Sequence, residues 1–297
     1  MTPLDRRLTE FVDRTAQMKR FCQILENRAK PIIFVSGDGG SGKSSLLARM
    51  IHECSLQKIA KTRIEWTETR NPDYLAIMRG VRDDLGAGHF SSFTSLVNAY
   101  YDDRVKLDLS VNSTGNITVA AGANFEGSTV GQISGVVVRD CMIVVPRRDL
   151  GVSENERMLR LTSTFLSDLA VLTSATPVVT FFDAVEKMED ETRKWMWGEF
   201  MAAVRDNRIP NIICVHCGRT KPDVDRDTRL AMEDTELGPL GLADIEEYLQ
   251  KRNVVCSAPR EMATLILAYS KGHPIDVASA VDMFEQTQEN LAQKSDG

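Results

Sequence analysis

Residues 31 to 45 read PIIFVSGDGGSGKSS, an apolar run that breaks into a glycine-rich loop closed by Lys43 and Ser44. The run is short and β-branched, as a buried strand requires, and Leu46, Leu47, Met50 and Ile51 follow it at helical spacing. In this strand–loop–helix setting the spacing GxxxxGK[ST], met by Gly37, Gly42, Lys43 and Ser44, marks a phosphate-binding loop. Gly37, Gly39, Gly40 and Gly42 are expected to take positive φ and turn backbone N–H groups inward around an anion, with Asp38, Ser41 and Ser45 completing the cradle. Lys43 is then expected to reach the β- and γ-phosphates and Ser44 to ligate Mg²⁺, with the positive end of the helix aimed at the anion.

The chain has 297 residues, 42% of them hydrophobic and 26% charged, which is ordinary for a globular protein of one large or two modest domains. Its net charge of -6 gives no general attraction to nucleic acid. The opening MTPLDRRLTEF lacks an apolar signal region, and no uninterrupted apolar run approaches the roughly 18 residues of a membrane span, so the expected location is cytoplasmic. Without a signal sequence, the sequons at Asn112 and Asn116 carry no weight. Cys214 and Cys217 form a CxxC inside an apolar strand-like run with no second ligand pair, which reads as two buried thiols.

Outward from the loop, strand and helix signals alternate. Phe21, Ile24 and Leu25 sit at helical spacing before the first strand; residues 61–69 (KTRIEWTET) read as a strand and 74–85 as a helix. Such alternation favours a parallel sheet. Between about 105 and 145 the composition shifts to β-branched residues, Gly, Asn, Ser and Thr, with period-two alternation in Leu107, Leu109 and Val111 and in Ile117 and Val119. This reads as a β-rich insertion, either a partner surface or a decorative loop.

A helix over 154–172 delivers the chain to PVVTFFD, an apolar strand that ends in Asp183. An acid at the end of a buried strand is the second half of a phosphate-loop site, where it helps to hold Mg²⁺; the competing reading is a helix N-cap. Glu186 is a candidate general base or the far side of a capping box with Asp183. A further helix, 192–204, leads to the strand NIICVHCG and Arg219, which lies at the carboxyl end of the sheet where ligands bind. From Leu237 on, three helical stripes begin with Leu242, Met262 and Val277, with Lys271-Gly272-His273-Pro274 between the last two. The division expected is a nucleotide domain over 1–236 and a helical lid over 237–297.

Five separated pieces together resemble one family: FVDR at 11–14, GDGGSGKSS at 37–45, TFFDAVEKM at 180–188, CGR at 217–219, and ELGPLGLADIEEYL at 236–249 with KGHP at 271–274. They are similar to the signal-transduction ATPases with numerous domains, the STAND class, which stand close to AAA+ proteins. The resemblance implies an α/β three-layer P-loop NTPase fold, a parallel five-stranded sheet with a C-terminal helical lid subdomain. It implies ATP or ADP with Mg²⁺ as ligands, Val12 and Arg14 near adenine and ribose, Lys43 and Ser44 on the phosphates and metal, Asp183 on the metal, Arg219 as sensor and Pro274 against adenine. It also implies a switch in which ATP favours an open, oligomerising state and ADP a closed monomer; the expected partners are nucleotide, a homo-oligomer in the ATP state and a protein that the sequence does not name. The sequence departs from the family at Ala184, where many relatives carry a second acid. The rival readings are a DNA-associated ATPase of origin-recognition type and a scaffold that binds ATP without cleaving it.

Overall fold

The computed structural model describes residues 12 and 14–102, three short strands within 109–146, and residues 153–295. These divide into two compact units, one formed by the chain up to Phe90 and from Phe165 onward, the other by residues 91–164.

In the first unit, helix α1 (Thr15–Asn27) precedes strand β1 (Ile32–Ser36), followed by α2 (Lys43–Leu56), β2 (Ala60–Glu65) and α3 (Tyr74–Leu85). Alternation resumes after the second unit with β7 (Val178–Asp183), β8 (Ile212–Gly218) and β9 (Met232–Glu236). The five strands form one sheet in the order β2-β7-β8-β1-β9, every neighbouring pair parallel. The three central strands are buried along their whole length, as their unbroken apolar sequences require; β2 and β9 alternate because each is an edge.

Period two sorts the central strands onto two faces. Ile33, Val35, Val179, Phe181, Ile213, Val215 and Cys217 pack with α1 and α2 through Phe21, Ile24, Leu46, Leu47 and Met50. The opposite face is aromatic. Phe182 lies edge-on to Phe200, and both Phe182 and Trp197 have ring centroids 4.8 Å from His216. Phe200 and Trp197 come from a π-helical turn (Met196–Phe200) between α6 (Asp190–Trp195) and α7 (Met201–Arg205). The helical segment expected over 192–204 is therefore one helical run interrupted by a wider turn, which brings Trp197 over the sheet.

Short helix α8 (Arg226–Leu230) leads into β9, and three helices close the unit: α9 (Leu242–Lys251), α10 (Pro259–Ser270) and α11 (Pro274–Ser295). Their core gathers Leu240, Ile245, Tyr248, Leu249, Ala263, Ile266, Val277 and Val281.

The second unit contains α4 (Ser91–Tyr100), the ribbon of β3 (Tyr101–Asp102) with β6 (Val145–Pro146), the antiparallel pair β4 (Leu109–Val111) with β5 (Ile117–Val119), and the first half of α5 (Glu154–Ala175). The period-two segments at 109–111 and 117–119 thus pair with each other; most of the expected insertion lies outside the described residues.

Candidate functional site

Parallel register brings the strand ends into one line. Val35 is level with Cys217, Cys217 with Asp183, and Asp183 with Glu65, while Ser36 is level with Gly218 and Glu236. The loop after β1 and the acid ending β7 therefore share the same edge of the sheet. One strand stands between them, so their backbones are about 10 Å apart at the usual strand spacing.

Residues Gly37 to Gly42 form the loop. Gly40 at φ +82° and Gly42 at φ +91° are left-handed, where a side chain is strained. Gly37 is nearly extended at φ +156°, and a Cβ there would fall 2.6 Å from Ser41 Oγ. Gly39 does not adopt the expected positive φ, and a Cβ there would meet Arg219 Nη2 at 3.6 Å, an ordinary contact. Ser41 N–H donates to the Asp38 carbonyl at 3.1 Å, closing the turn. The buried Ser41 hydroxyl has no hydrogen-bond partner.

Gly42 sits at the head of α2 without a side-chain cap, and no acid occupies the helix's first turn. The first helical bond runs from Leu46 N–H to the Gly42 carbonyl, so the amides of Lys43, Ser44 and Ser45 have no intrahelical acceptor. The result is a positive helix end with free donors, suited to an anion. Lys43 Nζ donates to the carbonyls of Gly37 (2.6 Å) and Asp38 (2.8 Å), which fixes the ammonium over the loop and leaves its third proton for a ligand.

At the far end of the line, the Asp183 carboxylate is 5% exposed and accepts from Arg63 Nη2 at 3.0 Å. Ala184, the next residue, is left-handed at φ +61°, an uncommon conformation for a side chain and one that turns the chain sharply into the 3₁₀ turn Val185–Lys187. That turn carries Glu186 back toward β8. Glu186 Oε1 lies 3.3 Å from Arg219 Nε, and Glu186 Oε2 is buried without a hydrogen-bond partner. The capping-box alternative for Glu186 is not what forms: its carboxylate faces Arg219 at the sheet edge. Arg219 thus stands between Gly39 on one side and Glu186 on the other.

Two further segments approach the loop. Arg14 is buried and left-handed at φ +67°; its Nη2 donates to the Gly238 carbonyl at 2.7 Å and to the Ser41 carbonyl at 3.5 Å. Val12 is buried in the core of the three C-terminal helices. From the other side comes the turn before α11, where His273 Cε1 and Ile275 Cγ2 lie 2.8 and 2.9 Å from a Cβ built on Gly40. Pro274 opens α11 inside that turn, with no N–H to lose. Gly272 (φ +77°) is held against the linker, its carbonyl accepting from Leu240 N–H at 2.7 Å; a Cβ on Gly272 would fall 2.2 Å from the Leu240 carbonyl oxygen.

Ser44 hydroxyl and Asp183 carboxylate are hard oxygen donors, and Mg²⁺ is commonly held by one or two such groups together with phosphate oxygens. Among the described residues no group of three or more His, Cys, Asp and Glu side chains forms a cage of its own. This donor set therefore fits a metal that arrives with a nucleotide. The CxxC pair is inert: burial pushes the Cys214 thiol up to about 12 and the Cys217 thiol well above its usual value. No described helix is long and apolar enough to cross a membrane.

Against this geometry, residues 10–208 match the family model for the AAA ATPase domain. The chain belongs to that family of P-loop nucleotide-binding proteins. Among solved structures it is similar to Cdc6p from Pyrobaculum aerophilum, at 13% identity and a TM-score of 0.52 over 96% of this chain and 64% of that one. It is also similar to a STAND protein with a tetratricopeptide repeat sensor from Pyrococcus horikoshii, at 16% identity and a TM-score of 0.47 over 90% of this chain. AMPPCP-bound DnaA from Aquifex aeolicus matches at 10% identity and a TM-score of 0.47, over 93% of this chain and 62% of that one. The chain spans 64% of the length of Cdc6p and 29% of the STAND protein. At 13% identity the likeness to Cdc6p speaks for the fold alone. No curated protein sequence matches the chain.

Arg63 was not among the residues singled out from sequence. Its signal was weak: a basic residue in a strand segment whose only distinction is that it ends opposite Asp183.

Proposed function

We propose that the chain is an ATP-binding NTPase of STAND or AAA+ type that hydrolyses ATP slowly with Mg²⁺ and works as a regulatory switch. The supporting observation is the alignment of the loop, Asp183, Glu186 and Arg219 along one sheet edge, with the turn containing Pro274 against the loop. Residues 1–236 form the nucleotide domain in this reading and 237–297 the lid. Gly37 to Ser45 enclose the phosphates, Lys43 neutralises their charge, and Ser44 with Asp183 holds the metal. Mg²⁺ held by these two side chains would supply charge neutralisation to the phosphates. Glu186 orients the attacking water, and Arg219 stabilises charge on the terminal phosphate. Val12, Arg14 and Pro274 border the nucleoside.

The test is nucleotide affinity. Lys43→Ala removes a charge-assisted contact of roughly 1.5–3 kcal/mol, a 10- to 100-fold loss. Unchanged affinity for ATP in that variant would dispose of the reading. Light scattering in ADP and in a non-hydrolysable ATP analogue checks the switch: mass rises with the ATP analogue if ATP favours a homo-oligomer.

A second reading, a scaffold that binds ATP without cleaving it, is favoured by Ala184 and by the pairing of Glu186 with Arg219. Single-turnover hydrolysis separates the two. A wild type as inert as Glu186→Gln makes the scaffold correct.

A further inference from the structure

Asp183 is a buried carboxylate, and a buried carboxylate needs a counter-charge. In this fold the counter-charge is Arg63, on the neighbouring edge strand β2. One nitrogen does two things: Arg63 Nη2 lies 3.0 Å from Asp183 Oδ2 and 3.2 Å from Glu65 Oε2. Glu65 and Asp183 are direct partners across the β2–β7 ladder, and Arg63, two residues before Glu65, shares its face of the strand. The guanidinium is therefore shared between a carboxylate that is 5% exposed and one that is 45% exposed. The buried Arg63 Nε has no hydrogen-bond partner, so the group is held by its charge contacts at one end only.

Resting on the reading above, in which Asp183 holds the metal, we propose that Arg63 is the resident counter-cation of Asp183. Metal-bound nucleotide competes with it for the carboxylate, and Glu65 is the group to which the guanidinium transfers. A divalent cation and a guanidinium on one carboxylate oxygen repel each other at close range and low dielectric. The exposed Glu65 can accept the guanidinium with only a small adjustment, because the contact already exists. The device balances the Asp183 charge in the nucleotide-free site and sets the Mg²⁺ concentration at which the metal-bound state takes over.

The experiment measures affinity for a fluorescent ATP analogue as a function of Mg²⁺ in wild type, Arg63→Gln, Arg63→Lys, Glu65→Gln and Asp183→Asn, with thermal melts of each. Arg63→Gln removes the competitor, so half-saturating Mg²⁺ falls on the order of tenfold, the effect expected of removing one close charge. Without nucleotide this variant melts several degrees below wild type, and Mg²⁺ with nucleotide closes the gap. Glu65→Gln removes the alternative acceptor and moves half-saturation the other way. Arg63→Lys keeps the charge and stays near wild type, separating charge from packing. Equal Mg²⁺ dependence in wild type and Arg63→Gln overturns the proposal while leaving the metal at Asp183 intact. If wild type and Asp183→Asn respond alike to Mg²⁺, the metal assignment fails and the proposal falls with it.

Discussion

His216 stands in the middle of β8, fully buried between Phe182 and Trp197, with Nε2 3.2 Å from Met201 Sδ and Nδ1 without a partner. Burial alone lowers its pKa from 6.5 to about 3. The fold thus accepts only the neutral ring. In the unfolded chain the ring titrates near 6.5, so between pH 6.5 and 3 the unfolded state binds more protons and stability falls as pH falls. Each pH unit in that window costs up to about 1.4 kcal/mol, which sums to about 2 kcal/mol at pH 5 relative to pH 8. For a chain of this size that corresponds to a Tm drop of about 3 °C. The ion-paired carboxylates that also favour the fold lose their contribution at lower pH. Glu233, paired with Arg20 and Lys30, is held down to about 2, so its stabilisation is present above its ordinary value and disappears only below it. The window from pH 8 to 5 therefore isolates the histidine. His216→Phe keeps a ring among Phe34, Phe182 and Trp197 and removes an unpaired nitrogen; the other three histidines cancel in the difference. Thermal melts of both proteins at half-unit steps give the comparison. If the two pH profiles are parallel from 8 to 5, the attribution to His216 is wrong.

Gly272→Ala forces a Cβ to 2.2 Å from a backbone oxygen at a left-handed position, and should lower stability by at least about 2 kcal/mol in chemical denaturation. Gly238→Ala, where nothing lies within 4 Å, is the control and should be close to neutral. Glu186→Gln should leave nucleotide affinity within about twofold and slow single-turnover hydrolysis about 100-fold or more, the usual size of a lost general base; equal rates would remove Glu186 from the chemistry. Gly40→Ala brings a methyl within 3 Å of His273 and Ile275 and should weaken ATP binding in a titration, unless the turn before α11 is irrelevant to the ligand.

The central strands were legible because they are buried on both faces: PIIFVS, PVVTFFD and IICVHCG have no polar alternative to a sheet interior. The loop was legible because its glycines and Lys43 are needed in a fixed order. The fifth strand was known only through the family resemblance, since β9 (MEDTE) buries little beyond Met232 and looks like any polar linker. Residues 66–69 lack the strand expected of them; β2 stops at Glu65, and the Trp66 indole turns to donate to the Pro72 carbonyl. In the site, Asp183 was visible as an acid ending an apolar run. Its pairing with Arg63 was not, because β2 meets β7 across the whole stretch of chain between Glu65 and Asp183 and no local pattern announces the neighbour.

Leu237 belongs to the core beneath the sheet and Leu240 to the core of the three final helices, so only Gly238 and Pro239 separate the two along the chain. The second crossing lies between Val12, in the helical core, and α1. Two crossings are two covalent constraints: a rotation about the line joining them leaves both in place, and any other rotation strains at least one. Because Gly272 is pinned to Leu240, all three helices would travel as a single lever. Helix α11 has 22 residues and is about 33 Å long, so a tilt of about 10° at the pivot carries its far end roughly 6 Å.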